Sequence, residues 1–134
     1  MQPAKLGQRR TRQRDLIVEI IREAQGPLTV PEILTRAQES LPALGVATVY
    51  RTVKLLHEAG DVQTVILPTG ETRYESVGRG HHHHFHCRVC DEVYDLEDCP
   101  VVVPRDREIA RGFHVERHEL TFYGTCPNCA PSGQ

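Results

Sequence analysis

The sequence contains no tryptophan, one methionine, three phenylalanines and four tyrosines among its 134 residues, so any core is mainly aliphatic. No apolar run approaches the ~20 residues that a membrane span requires, and the polar start "MQPAKLGQRR" shows no signal-peptide pattern. The expected location is the cytoplasm, with no membrane partner. In that compartment the five cysteines are expected to be ligands or free thiols rather than disulfides. The net charge of −2 decides nothing about nucleic acid. The absence of acidic residues from positions 1–14 says more. Lys5, Arg9, Arg10, Arg12 and Arg14 stand there unopposed, a basic arm suited to phosphate or minor-groove contact. A solvated terminus would look the same from sequence. No H-E-x-x-H or deaminase pattern is present, which argues against a zinc hydrolase and against a small-molecule substrate. An enzyme is not expected.

Periodicity divides the chain in two. Residues 11–24, "TRQRDLIVEIIREA", put Leu16, Ile17, Ile20, Ile21 and Ala24 on one helical face. "TVPEILTRAQES" reads as a second helix, with Thr29 and Glu32 in capping-box spacing. "VATVYRTVKLLHEAG" is a third, with Val49, Val53 and Leu56 facing inward and Gly60 as its stop. "VQTVILPTGETRYES" alternates, turns at "PTG" and returns as a second strand. Three helices followed by a hairpin predict a winged helix-turn-helix, in which the third helix enters a DNA major groove. The expected fold class is α+β. A winged-helix domain over 1–76 is followed by a glycine-bearing hinge over 77–80 and a small α/β domain over 81–134. Strands are predicted at "HFHCRV", "EVYDL" and "HELTFYG", and a short helix around "PRDREIARG".

The second half holds all five cysteines and seven of the eight histidines. Cys87, Cys90, Cys126 and Cys129 form two C-x-x-C knuckles, each aiming two thiolates at one point. Two such pairs make a closed tetrahedral shell for structural Zn²⁺, stapling the start of the domain to its end. Redox dithiols are the competing reading. Cys99 is left over and reads as a small, partly buried thiol. In "GHHHHFHCRVC" an extended backbone puts His82, His84 and His86 on one face and His81 and His83 on the other. Imidazole nitrogen with carboxylate oxygen suits Fe²⁺, Mn²⁺, Co²⁺ or Zn²⁺. A metal buffer would explain the histidines, though not the winged helix.

"TVYRTVKLLHEAG", "HHHHFHCRVC" and "FYGTCPNC" together resemble the ferric uptake regulator superfamily of bacterial metal-sensing transcription factors, over about residues 9–129. The resemblance implies a homodimer with a C-terminal dimerisation domain, binding palindromic operator DNA as a repressor when loaded with metal. It assigns the four knuckle cysteines to structural zinc. Regulatory ligands are Glu75, His82, His84 and Asp95, and auxiliary ligands are His81, His83 and His118. Thr48, Tyr50 and Arg51 fall on the DNA-reading helix, with Arg9 and Arg10 as basic contacts beside them. Two positions depart from the family pattern. Pro27 stands near an expected sensing histidine, and Val102 stands where an auxiliary glutamate is usual. With no thiol between Glu75 and the histidine run, Fe²⁺ or Mn²⁺ is expected at the regulatory site, with Zn²⁺ left open. Zinc-uptake and peroxide-stress regulators of the same superfamily are the alternatives.

Overall fold

The computed structural model describes residues 6–100 and 108–130, with side chains over 10–100 and 111–130. The chain forms two compact units, Met1–Gly78 and Arg79–Gln134.

In the first unit, α1 (Leu6–Glu23), α2 (Val30–Ala37) and α3 (Val46–Glu58) precede a hairpin of β1 (Val62–Ile66) and β2 (Thr72–Ser76). This is the winged-helix order. Ile17, Ile21, Ile33, Val49, Val53 and Leu56 meet in one aliphatic core, as their 3.6-residue spacing dictates. Truncating a fully buried member such as Leu56 to alanine costs about 2–5 kcal/mol. The capping box forms at α2. Thr29 Oγ1 accepts the Glu32 amide at 3.2 Å, and Glu32 Oε1 accepts the Thr29 amide at 3.1 Å, together stabilising the helix start by about 1 kcal/mol. Gly60 takes φ +80° directly after α3, the left-handed stop that glycine adopts without strain.

The hairpin is tied to the helices through buried Arg73. Its guanidinium donates to Glu32 Oε1 at 2.7 Å, Glu71 Oε1 at 2.5 Å and the Pro27 carbonyl at 3.1 Å. Leu28 and Tyr74 exchange backbone hydrogen bonds of 3.0 and 2.8 Å. Pro27 is thus a buried structural residue whose ring offers no ligand atom.

The second unit contains β3 (His83–Cys87), β4 (Val93–Leu96), β5 (Glu108–Ala110), β6 (Phe113–His114) and β7 (Thr121–Gly124). The order β4-β3-β7 makes a mixed sheet, antiparallel on one side of β3 and parallel on the other. A Cβ on Gly124 would lie 3.1 Å from the Phe85 ring, so glycine leaves room for that ring against β7.

Two expectations need correction. Helix α1 begins at Leu6 rather than at Thr11, so Arg10 of the basic arm also rides on the helix that carries Arg12 and Arg14. The side chains of Lys5 and Arg9 lie outside the described residues. The short helix predicted around "PRDREIARG" is replaced over its described part by strand β5, which pairs with β6 across Arg111 and Gly112. Gly112 has φ +85°. A glycine in that conformation ends a helix or turns a hairpin equally well, and here it turns a hairpin. Residues 101–107 lie outside the described part, Val102 among them.

Candidate metal centres and nucleic-acid interface

The sheet topology assembles the cysteines. Strands β3 and β7 run parallel with Cys87 opposite Gly124, so both chain segments leave the sheet at the same end. The first knuckle turns through Asp91 (φ +65°), whose amide donates to the Cys87 carbonyl at 3.0 Å. In the second, the amides of Cys129 and Ala130 donate to the Cys126 carbonyl at 3.0 and 2.8 Å. The four sulfurs lie within 4.8 Å of one another, with Cys87 and Cys126 fully buried.

Their protonation pattern fits a cation. Backbone hydrogen bonding around Cys90 is the main cause holding the Cys87 thiol down at about 6, against its burial. The Tyr94 hydroxyl, hydrogen-bonded to Cys126, lowers that thiol, while the Tyr94 phenol itself is pushed up by the same bond. Cys129 is pushed up to about 12, first by its hydrogen bond to Cys126. Some thiols ionise readily here, and each thiolate formed makes the next costlier. A dication removes that conflict and admits four thiolates at once. Tyr94 is a participant that the sequence reading missed.

The histidine strand alternates as predicted. His82 and His84 have ring centroids 5.0 Å apart on one face, and His81 and His83 have theirs 4.5 Å apart on the other. Antiparallel pairing puts His84 directly opposite Asp95. Asp95 Oδ1 is buried, accepts no hydrogen bond, and faces His84 Nε2 at 3.4 Å and His82 Nε2 at 3.7 Å. His82 Nδ1 donates to the Gly80 carbonyl at 3.0 Å, which leaves the Nε2 lone pair directed at the cluster. Two imidazole nitrogens and a carboxylate oxygen therefore converge in a pattern that suits a divalent cation. Arg79, also missed, reaches the other carboxylate oxygen at 2.8 Å. His86 lies on the same face but turns to Asp91, 2.5 Å away, and packs beside Tyr123. Glu75 belongs to the first unit. It is buried on β2, where its Oε1 accepts from Gln63 Nε2 at 2.9 Å.

On the opposite face the expected His81, His83 and His118 come together, and so does Cys99. The sequence reading took Cys99 for an unligated thiol. Its sulfur lies 3.2 Å from His83 Nε2 and 3.4 Å from His118 Nε2. The register explains why: His83 opposes Leu96, the last residue of β4, and Cys99 follows three residues later. The only signal in the sequence was an odd cysteine just beyond the partner strand of the histidines.

In the first unit, the described DNA-contact candidates border two grooves, and the side chain of Arg9 lies outside the described residues. Arg10, Arg14, Thr48 and Arg51 line an open cleft between α1 and α3. Tyr50, more than half exposed, shares a second groove with Arg51, Lys54 and His57. Arg51 borders both, and its guanidinium donates to Thr48 Oγ1 at 3.2 Å. Arg14, Lys54 and His57 were not singled out from sequence, although Arg14 belongs to the basic run. Among the described residues, no helix is long and apolar enough to cross a membrane.

Comparison with known proteins gives a consistent result. Residues 5–123 match the model of the "Ferric uptake regulator family". A ferric uptake regulation protein of Bacillus subtilis is 34% identical over 128 residues, covering 89% of this chain and 83% of that protein. A solved structure described as a zinc-bound manganese uptake regulator aligns with TM-score 0.69 at 28% identity, over 89% of this chain and 94% of the other. A zinc uptake regulator from M. tuberculosis aligns with TM-score 0.52 at 29% identity, over 93% and 98%. These similar proteins are named for three different metals.

Proposed function

The chain belongs to the ferric uptake regulator family of metal-responsive transcription regulators, not enzymes, and from that premise we propose that it is a repressor switched by Fe²⁺ or Mn²⁺. In this reading the loaded homodimer binds palindromic operator DNA and controls metal homeostasis in the cytoplasm. His82, His84 and Asp95 hold the sensed ion, with Glu75 of the hairpin as the fourth ligand. Joining Glu75 to the other three fixes the orientation of the winged helices, so that two recognition helices meet successive half-sites. The metal acts only through its tighter binding to that arrangement. Structural Zn²⁺ at the four cysteines holds the dimerisation domain together. Arg10, Thr48, Tyr50 and Arg51 carry the DNA contacts, with Arg9 beside them.

The observation that supports this reading is the buried Asp95 Oδ1 facing two imidazole nitrogens without a hydrogen bond. The balance of nitrogen and oxygen favours Fe²⁺ and Mn²⁺ over Zn²⁺. The test uses zinc-stapled protein and a labelled duplex selected from a random pool. Fluorescence anisotropy is followed without added metal and with Mn²⁺, anaerobic Fe²⁺ or Zn²⁺. Binding that requires Mn²⁺ or Fe²⁺ supports the proposal. Equal binding without metal contradicts it, and a response to Zn²⁺ alone makes the chain a zinc regulator.

A further inference from the structure

The auxiliary histidine cluster lies wholly within the second unit. We propose that Cys99 completes a three-nitrogen, one-sulfur metal site with His81, His83 and His118, and that its thiolate makes this site select Zn²⁺ over Mn²⁺ and Fe²⁺. The family resemblance left this cluster one ligand short, since Val102 stands where an auxiliary glutamate is usual. The structure brings in a different residue and a different donor element.

The geometry carries the assignment. Four ligand atoms from three separate segments lie within 4.8 Å of one another. His83 Nε2 lies 3.2 Å from His118 Nε2 as well as 3.2 Å from the Cys99 sulfur. The His118 ring stands 4.8 Å from that of His81 and 4.9 Å from that of His83. His83 is 1% exposed. Three imidazoles beside a thiol are a donor set for a tetrahedral, borderline-soft ion. One thiolate with three neutral rings leaves a bound dication with net charge +1, whereas the four-cysteine shell carries −2. Fewer sulfurs suit exchange rather than permanent stapling.

Loading moves two protons. The Cys99 S–H proton is released to solvent as the metal–sulfur bond forms. His83 Nδ1 accepts the Leu120 amide at 3.2 Å, so the neutral ring carries its proton at Nε2, the atom facing the cluster. Binding through Nε2 shifts that proton to Nδ1 and breaks the Leu120 bond. The Leu120 amide, next to β7, is therefore a local reporter of occupancy. None of this depends on Glu75, on the operator or on the identity of the regulatory metal.

The test is cobalt titration of full-length protein whose four-cysteine site is already filled with Zn²⁺. Wild type and a His82→Ala/His84→Ala variant are both expected to give a sulfur-to-cobalt charge-transfer band with the visible bands of a tetrahedral site. Cys99→Ser and His118→Ala are expected to lose that band. Even a partner one shell out is worth about 10- to 100-fold in metal affinity, so Cys99→Ser is expected to weaken Zn²⁺ by about 100-fold or more. Cys99→Asp is expected to keep a site but move its preference from Zn²⁺ toward Mn²⁺, an exchange that a merely structural thiol would not produce. Absence of the band in wild type, or its persistence in Cys99→Ser, overturns the proposal. So does an unmoved Leu120 amide on Zn²⁺ loading.

Discussion

Arg79 Nη2 sits 2.8 Å from Asp95 Oδ2 and 3.1 Å from Glu97 Oε1, so a guanidinium neutralises a carboxylate of the candidate sensing cluster. An arriving dication competes with that charge. Losing a partly buried ion pair of this kind is worth roughly 1 kcal/mol, which corresponds to about fivefold in affinity. Arg79→Ala is therefore expected to tighten Mn²⁺ binding by about fivefold in a calorimetric titration. Weaker binding would show that Arg79 orients Asp95 rather than competing for it.

The zinc staple should be indispensable to the second unit. Structural Zn²⁺ in small domains contributes about 10–16 kcal/mol of binding energy, far more than a unit this size has to spare. Cys87→Ser or Cys126→Ser is expected to lose zinc by metal analysis and the dimer by ultracentrifugation, while the helical unit stays folded. A Cys87→Ser protein that keeps both would remove the assignment.

In the proposed reading α3 recognises the operator chiefly through Arg51, which borders both grooves. Arg51→Ala is expected to cost about 1–3 kcal/mol on the selected duplex and to relax its specificity. Arg10→Ala is expected to weaken all duplexes alike and lower the salt slope by about one. Wild-type affinity in Arg51→Ala would mean that its charge is merely solvated.

Burial keeps His83 below its usual proton affinity. An unfolded chain thus takes up a proton at this ring before the folded one does, and folding stability falls as pH drops below 6.5 toward the folded value. With the exchangeable metals removed, the melting temperature is expected to decline over that range, and His83→Gln is expected to flatten the decline. An identical decline in His83→Gln would assign it to other groups.

What could be read from sequence was what local periodicity controls. The Thr29–Glu32 cap, the inner face of α3 and the alternation of His81 through His84 each follow from spacing along one element. The four-cysteine cluster was legible because each knuckle is a short self-contained turn. Cys99 was not, because its place beside His83 depends on the β3–β4 register. The strand at Glu108–Ala110 was not legible because it depends on pairing with β6 across Arg111 and Gly112. Arg79 was hidden for a similar reason: nothing in its own segment indicates that a cross-strand partner of His84 will receive it.

The central claim is that metal acts on DNA binding through His82 and His84. It is tested most directly by Mn²⁺-dependent anisotropy of the selected duplex with the His82→Ala/His84→Ala variant. The account predicts a folded, dimeric, zinc-containing protein whose DNA affinity no longer responds to Mn²⁺. A variant that still binds the duplex only when Mn²⁺ is added would contradict it and place the switch elsewhere.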